Sequence, residues 1–352
     1  MKRKLKIAII APFEEPVPPK KYGGTELVVY NLTETLIDFG HQTTLLASGD
    51  SKTRAQLISI FPRALRKEKI NQDINIRNTL KYVSIAKILD KLSKLNLDLV
   101  HNHLGWRLIP FVKYLKVPTV TTLHGPLNHP YQKLIYGLFP NHPYVSISNN
   151  QRKPLKNLNY VATVYNGINL DNFDFNPNPG KYLAFLGRIS PEKGPKIAIQ
   201  IAKKIRMKLK IAAKVDAVDI KYFKKEIKPL IDGKQIEFLG EIGSEEKNKF
   251  LKNAYALLAP IQWQEPFGLF MIEAMACGTP VVVTNKGSAS EIVANKKTGF
   301  IVSNNINSFV SAIKKIKFID RKKCYNRVKS YFSKEIMTKN YIQVYEKIIK
   351  QR

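Results

Sequence analysis

Cysteine is scarce in this chain of 352 residues, where only Cys277 and Cys324 occur. Two cysteines exclude a disulfide framework, and a reducing compartment such as the cytoplasm is the simplest interpretation. No stretch reaches the roughly 18 consecutive apolar residues of a membrane-spanning helix. The N-terminal stretch MKRKLKIAIIAPFEEP also lacks the pattern of a signal peptide. We therefore expect a cytoplasmic protein without disulfides or membrane spans.

Acidic residues are also few, because 27 Asp and Glu oppose 58 Lys and Arg and leave a formal net charge of +31. Basic residues are grouped in runs at 62–69, 202–210, 221–228 and 320–329. Such a field attracts polyanions: nucleic acid, anionic lipid or phosphorylated substrates. The alternative is a compositional bias toward Lys, Asn and Ile. The sequence has no RNP-type aromatic strand, zinc-finger spacing or GXXG clamp, which argues against nucleic acid as the partner.

The chain does contain a regular alternation of buried strands and amphipathic helices. In the first half, strands are predicted at 5–11, 42–48, 97–103, 117–125 and 144–150, with helices at 25–40 and 76–95. In the second half, a helix is predicted at 194–205 and strands at 181–187, 208–215, 235–241, 255–261, 280–285 and 299–303. Successive βα units with buried strands predict parallel, doubly wound sheets. The Asn-, Pro- and Gly-rich segment 165–180 predicts a linker between two α/β domains, with a cleft between them.

Two carboxylates, Glu265 and Glu273, stand in the apolar segment QWQEPFGLFMIEAMACG. A strand is predicted to end near Ile261 and a helix to begin near Gly268. Glu265 would then lie in the loop beside a helix N-terminus that favours anions. Glu273 would lie inside the helix, where its carboxylate can accept hydrogen bonds from a diol such as a ribose. The alternatives are that Glu265 only caps the helix and that Glu273 is a solvated acid, although the apolar neighbours of Glu273 argue against the second.

Two further loops follow predicted strands. In FLGRISPEKGPK, Arg188 and Lys193 are cations at a strand end beside a helix N-terminus, which suits a diphosphate. The loop has neither the Walker A nor the GxGxxG pattern. In PPKKYGGTELVV, Gly23 and Gly24 precede a helix with Thr25 as its predicted N-cap. Two glycines permit close approach of the backbone to a ligand, and the alternative is a plain flexible turn.

Three histidines are predicted at strand ends of the first domain: His101, His103 and His124. We expect no metal there, because no Cys or carboxylate lies nearby as a third ligand. His124, in the stretch TTLHG, is the functional candidate, whereas His101 and His103 are expected to be structural. Cys277 is interpreted as a packed residue near a helix end.

Several of these stretches together resemble the retaining glycosyltransferases of family 4, which have the GT-B fold. The segment EPFGLFMIE resembles the family's E-x7-E element, and GRISPEKG is similar to its phosphate-binding turn G-R-x-x-x-x-K-G. The stretches YGGTE, TTLHG, YNGI, EAMACGTPVV and TGFIV match the family pattern in the same order. The resemblance implies two Rossmann-like domains facing an interdomain cleft, at residues 1–165 and 166–335, with a C-terminal helix at about 336–352 that crosses back to the first domain.

The resemblance also implies roles for individual residues. Arg188 and Lys193 would bind the donor diphosphate, and Glu273 the ribose hydroxyls. Glu265 would hold the transferred sugar together with the backbone N–H groups of Phe267, Gly268 and Leu269. In the first domain, Gly23 and Gly24 would approach the phosphate and the acceptor, and His124 the donor sugar. The catalytic set implied in this way is Glu265, His124, Arg188 and Lys193, without a metal.

The sequence therefore predicts a metal-independent, retaining glycosyltransferase without a cofactor, using a UDP-, GDP- or ADP-sugar donor. The acceptor would be a glycan or a lipid-linked glycan of the cell envelope, and the basic runs would hold the enzyme on the inner face of an anionic membrane. Ala213 and Lys296 stand where relatives often carry Gly, which leaves the base preference open. The alternatives are a GT-B epimerase or phosphorylase, and a basic nucleic-acid-binding protein with an inactive transferase fold.

Overall fold

The protein is described from a computed structural model that covers residues 3–21, 23–67 and 73–351. The chain divides into two compact units. Unit 1 comprises the chain up to Gly167 together with the C-terminal part from Lys334, and unit 2 runs from Ile168 to Ser333. Residues 68 and 69 of the first basic run lie outside the described residues.

Unit 1 is built on a sheet of seven parallel strands. Its strands are β1 (Lys6–Ile10), β2 (Gln42–Ser48), β3 (Gln56–Phe61), β4 (Leu99–Asn102), β5 (Thr119–Leu123), β6 (Tyr144–Ser146) and β7 (Tyr160–Thr163). Its first helices are α1 (Gly24–Asp38), α2 (Ile74–Ser93) and α3 (Pro130–Gly137). The strand order is β3-β2-β1-β4-β5-β6-β7. The sequence analysis missed β3 and β7, which are the two edge strands and only partly buried over much of their length.

The ends of α1 show how glycine shapes the chain in unit 1. The sequence predicted Thr25 as the N-cap, which is wrong, because the helix begins at Gly24 and Gly23 occupies the N-cap without a side-chain hydrogen bond. At the other end, Gly40 adopts a φ of 84°. Left-handed backbone of this kind favours glycine and stops a helix, which accounts for the end of α1 close to the predicted end at residue 40.

Unit 2 repeats the same architecture with six parallel strands. Its strands are β8 (Tyr182–Arg188), β9 (Lys208–Lys214), β10 (Ile236–Gly240), β11 (Ala254–Ala259), β12 (Val281–Thr284) and β13 (Gly299–Val302). Its helices are α4 (Pro195–Ile205), α5 (Ile220–Tyr222), α6 (Ser244–Lys252), α7 (Leu269–Ala276), α8 (Ala289–Ile292), α9 (Ile306–Lys315) and α10 (Arg321–Tyr331). The strand order is β10-β9-β8-β11-β12-β13.

The C-terminal helix α11 (Lys334–Lys350) belongs to unit 1 and packs on α1. Buried hydrogen bonds attach it to the sheet. The Tyr345 hydroxyl lies 2.7 Å from Nδ1 of His101, and the Tyr341 hydroxyl lies 3.0 Å from Oγ1 of Thr122. The other ring nitrogen of His101 lies 2.7 Å from the same Thr122 oxygen, so His101 is structural, as predicted.

In each sheet the chain reverses its direction of strand addition at one position, between β1 and β4 in unit 1 and between β8 and β11 in unit 2. Open α/β sheets bind ligands beyond the carboxyl ends of the strands at such switch points. No helix among residues 3–21, 23–67 and 73–351 is both long and apolar enough to cross a membrane.

Candidate active site

The carboxyl edge of the unit 2 sheet brings Lys193 and Glu265 together. Lys193 follows β8 and Glu265 follows β11, so the two loops flank the switch point. The Lys193 Nζ donates to Oε2 of Glu265 at 2.5 Å, and the indole Nε1 of Trp263 donates to the same oxygen at 3.0 Å. The Glu265 residue is only 7% exposed. The buried carboxylate is therefore stabilised as an anion by one cation and one neutral donor.

Backbone packing fixes the spacing between these two loops. The Gln262 N–H donates to the Glu192 carbonyl oxygen at 2.7 Å, which joins the loops directly. Gly194 has a φ of 74°, and a Cβ at this position would lie 2.1 Å from the Pro260 carbonyl oxygen. The close approach therefore requires glycine and holds Lys193, the preceding residue, against the Glu265 loop.

The start of α7 lies directly after Glu265. The N-cap of the helix is Gly268, which has a φ of 86° and no side chain with which to cap the helix. Glu265 therefore does not occupy the N-cap position, contrary to the alternative in which it serves only as a cap. Phe267 and Gly268 are buried, and Leu269 begins the helix. The loop is held from the other side by Ser288, whose hydroxyl donates to the Phe267 carbonyl oxygen at 2.5 Å.

Glu273 lies inside α7 and is only 5% exposed, so the alternative of a solvated acid is also wrong. Its carboxylate forms an ion pair with Lys247 of α6. Burial of a lone carboxylate in this apolar helix would be costly, and the cation offsets that cost. Burial raises the pKa of the Cys277 thiol to about 12, and the negative charge of Glu273 adds to this rise. The burial supports the interpretation of Cys277 as a packed residue.

Arg188 ends β8 and lies among three carboxylates. It forms an ion pair with Glu192, and its guanidinium also lies 3.7 Å from Asp216 and 3.6 Å from Asp219. Burial raises the pKa of Asp219, and the positive charge of Arg188 opposes that rise. Both residues predicted to bind the diphosphate are thus ion-paired. Arg188 pairs with the nearby Glu192, and Lys193 pairs with Glu265.

In unit 1, the glycine turn before α1 is packed against the protein itself. A Cβ on Gly23 would lie 2.6 Å from Cβ of Pro19. This close contact by itself requires glycine at position 23, whether or not a ligand binds there. Gly24 starts the helix, and Glu26 lies in its first turn. Burial raises the pKa of Glu26 to about 7, while its own backbone N–H and the charge of Arg66 act in the opposite direction. No ion pair to Glu26 occurs among the residues that the structure describes.

His124 follows β5 and contacts His103, which follows β4. The Nε2 of His124 lies 2.7 Å from Nδ1 of His103, and the rings stack with centroids 5.0 Å apart. Burial lowers the pKa of His124 to about 4, so its ring is neutral at pH 7, with one nitrogen a donor and the other an acceptor. Burial also holds the pKa of His103 well below its usual range, and its Nε2 has no hydrogen-bond partner among the residues that the structure describes. The expectation of a satisfied structural histidine is thus met for only one nitrogen of His103.

Both histidines line a cavity of about 230 Å³ at the carboxyl edge of the unit 1 sheet. Its wall also includes Glu14 after β1, Arg107 after β4 and Gly125 after β5. Within the described part of the chain, no group of three His, Cys, Asp or Glu residues is arranged to hold a metal ion.

Four residues that contact or lie among the site residues were not predicted from the sequence: Trp263, Lys247, Asp219 and Glu26. A partial signal existed for Lys247, because an acid buried in an apolar helix needs a cation. The identity of that cation was hidden, since it comes from another helix, 26 residues away along the chain. Trp263 is two residues from Glu265, but its orientation toward the carboxylate depends on the loop conformation.

Two family models together match most of the chain. Residues 22–172 match the family model described as Glycosyltransferase Family 4, and residues 169–332 match the model described as Glycosyl transferases group 1. One relative is an uncharacterized glycosyltransferase of Methanocaldococcus jannaschii, which is 32% identical over 161 residues, 40% of each chain. Another is the phosphatidyl-myo-inositol mannosyltransferase of Mycobacterium tuberculosis, which is 24% identical over 329 residues, 85% of this chain and 82% of the relative.

Among solved structures, the Anabaena protein HepE in complex with UDP-glucose superposes on the chain with a TM-score of 0.76. The match covers 97% of this chain and 100% of HepE at 15% identity, which establishes similarity of fold. The two family models together extend over both units, and both sheets are parallel and doubly wound. The chain is therefore a glycosyltransferase of the family 4 type, with the GT-B fold of two Rossmann-like domains.

Proposed function

We propose that this transferase moves a sugar from a nucleotide diphosphate sugar, with retention of anomeric configuration, to a glycan or a lipid-linked acceptor in cell-envelope polysaccharide or glycolipid synthesis. The observation that carries the proposal is the Lys193–Glu265 pair beside Arg188 at the unit 2 switch point. HepE, solved with UDP-glucose, and the mycobacterial relative, named for a phosphoinositide acceptor, support the donor and acceptor classes.

Donor binding in this proposal is an exchange of anions. The diphosphate displaces Glu192 from Arg188 and Glu265 from Lys193, so each cation keeps a negative partner throughout. The exchange avoids the cost of leaving a half-buried cation unpaired. Positive charge that is already oriented by the loop then stabilises the diphosphate as it departs.

Glu265 acquires its own role through the same exchange. Once Lys193 turns to the phosphate, the Glu265 carboxylate remains bound to the Trp263 indole and can accept hydrogen bonds from hydroxyls of the transferred sugar. The backbone N–H groups at the start of α7, at Phe267, Gly268 and Leu269, would help to hold the transferred sugar, because a helix N-terminus favours negative charge. Glu273 would hold the ribose hydroxyls, with Lys247 as its ion-pair partner.

The proposed reaction needs no metal and no dedicated base. The departing diphosphate accepts the proton of the acceptor hydroxyl on the face where the new bond forms, which accounts for retention. His124 would contribute a neutral hydrogen bond near the donor sugar, in keeping with its lowered pKa. Gly23 and Gly24 would line the approach of phosphate and acceptor from unit 1. We place the enzyme in the cytoplasm, attached to the inner face of the membrane.

A thermal-shift series with UDP-, GDP- and ADP-sugars tests the donor assignment. A ligand at 100 times its dissociation constant stabilises the folded protein by about 2.7 kcal/mol. We expect one nucleotide family to raise Tm, and Arg188→Met combined with Lys193→Met to abolish the rise. Lys249→Met, an exposed change on α6, is the control. No rise with any nucleotide sugar, together with salt-sensitive RNA binding, would instead favour the inactive, nucleic-acid-binding alternative.

Activity assays with the preferred donor complete this test. Transfer should persist in excess EDTA, and complete loss restored by magnesium or manganese would overturn the proposed role of Arg188 and Lys193. Incubation with water or phosphate as the acceptor separates the transferase from an epimerase or a phosphorylase. A dominant epimerised or phosphorolysed product would contradict transfer to a glycan or lipid.

A further inference from the structure

One long part of unit 1 contains no acidic residue. Asp98 and Asp171 are consecutive acids in the sequence, and an even spread of the 27 acids would place about five between them. The same interval contains seven basic residues: Arg107, Lys113, Lys116, Lys133, Arg152, Lys153 and Lys156. Surface formed by this segment is therefore positive without internal compensation, unlike the edge of unit 2.

Helix α3 lies in this acid-free segment and has an apolar outer face. Tyr131, Leu134 and Leu138 are 54%, 68% and 66% exposed. They follow one another at spacings of three and four residues, so they form one stripe along α3 and its C-cap. The opposite side of the helix is anchored by Tyr136, which is buried in the core cluster. The exposed stripe is therefore held on a rigid support.

A second exposed element rests on the same core cluster. The short 3₁₀ helix Ile109–Tyr114 buries Ile109 in the cluster that also contains Tyr136. Its outer end presents Tyr114, which is 67% exposed, with the Lys113 amine 5.0 Å from the ring centroid. Aromatic, aliphatic and cationic side chains are thus combined on this part of unit 1.

Large exposed apolar residues also occur in unit 2, but in a different arrangement. Val218 and Phe318, for example, are 86% and 76% exposed, yet neither belongs to a stripe along one helix face. Single exposed apolar residues are ordinary on protein surfaces, whereas a contiguous apolar face marks an interaction site. The α3 face is distinguished by both its pattern and the absence of acids around it in sequence.

We propose that the α3 face, defined by Tyr131, Leu134 and Leu138, docks on an anionic lipid bilayer, with Lys133 of the same helix and Lys113 of the 3₁₀ helix on the same core cluster contributing positive charge. Amphipathic helices with this combination lie in the membrane interface, with the apolar face among the acyl chains and the cations at the headgroups. The acid-free segment supplies charge complementarity to anionic headgroups. An RNA partner would use the cations but gain nothing from Leu134 and Leu138.

This inference rests on the proposed function and deepens it, because it names the surface that meets a lipid-borne acceptor. Helix α3 begins six residues after His124, at the carboxyl edge of the unit 1 sheet. A bilayer bound at α3 would present lipid headgroups to the same edge. Bulk attraction by all basic runs would not favour any one face of the molecule, so the two modes of membrane binding can be separated.

The test is vesicle flotation of the full chain with phosphatidylcholine alone and with added phosphatidylglycerol. We expect binding to the anionic vesicles only. Leu134→Gln with Leu138→Gln should weaken it at least about a hundredfold, because each leucine buried in lipid contributes about tenfold or more. Lys113→Gln with Lys133→Gln should weaken it about fivefold for each lysine. Val218→Gln with Phe318→Gln is the matched control and should leave binding unchanged.

Three outcomes would overturn the proposal. Equal binding by the leucine variant and by wild type would leave only diffuse charge attraction. Equal recovery with neutral vesicles would remove the role of anionic headgroups. A dimer in solution that dissociates in the leucine variant, without vesicle binding, would show that the face meets a second copy. Donor-induced thermal shifts, measured without vesicles, should be normal in every variant, so a failure of donor binding in wild type would point to the proposed function instead.

Discussion

The two units accommodate their buried titratable groups differently. In unit 2, the buried acids Glu265 and Glu273 each have a lysine partner, Lys193 and Lys247. In unit 1, the buried Glu26 has no ion pair among the described residues, and burial raises its pKa to about 7. The neighbouring histidines are likewise kept neutral by burial, as the lowered pKa of His124 shows.

This difference suits the two halves to different ligands. The cations of the unit 2 edge can exchange their carboxylate partners for another anion, which fits a diphosphate. The unit 1 edge carries ion-paired Glu14 as well, but its neutral histidines offer hydrogen bonds without a fixed charge, which fits hydroxyl groups. The same doubly wound sheet therefore provides two distinct kinds of surface, and the distinction arises from side chains in the loops rather than from the fold.

The largest expected effect concerns Glu265. Glu265→Ala should lower kcat by on the order of 10² or more, because in the proposed role the carboxylate would lie beside positive charge that develops on the sugar in the transition state. Glu273→Ala should instead mainly raise the KM of the donor, because the proposed ribose contact would be present before and during reaction. Steady-state kinetics over donor concentration measures both, with the exposed Glu245→Ala as control. Near-normal kcat in folded Glu265→Ala would contradict the sugar-binding role.

The next effect tests whether pairing in unit 2 is required for folding. Lys247→Met leaves the Glu273 carboxylate buried without its cation and should cost about 3 kcal/mol of unfolding free energy. Adding Glu273→Leu should recover much of that loss, because no unpaired charge remains. Urea unfolding of the single and double variants beside Lys249→Met measures this. Equal stability of Lys247→Met and wild type would mean that water or another residue compensates Glu273.

The smallest effect probes the unpaired acid of unit 1. Because the pKa of Glu26 is raised in the folded state, the protein should lose stability as pH rises from about 4.5 to about 7. Glu26→Gln should therefore be more stable than wild type at pH 8, by on the order of 2 kcal/mol, and similar to it at pH 4. Thermal unfolding across this pH range, with Glu245→Gln as control, measures the difference. A difference that does not change with pH would show that folding leaves the pKa of Glu26 unchanged.

Patterns in the sequence sufficed for the parts of the fold that depend on burial. Strand β1 and its neighbours were predictable because helices cover both faces of a parallel sheet and the strands become continuously apolar. The edge strands β3 and β7 were missed because they are less buried and carry polar residues. Thr25 was assigned as an N-cap by residue preference, but the N-cap is Gly23, two residues earlier, where the backbone packs against Pro19.

The sequence alone indicated the family and the two parallel sheets, through its composition and the order of its motifs. It also indicated the candidate residues Arg188, Lys193, Glu265 and Glu273, because strand ends and helix starts are local features. Only the tertiary structure decided which charges meet. The Lys193–Glu265 and Lys247–Glu273 pairs join residues 72 and 26 positions apart, and their contact depends on loop packing at Gly194 and on the approach of α6 to α7. Ion pairs are short-range contacts between side chains, and a linear pattern does not specify the distance between two loops.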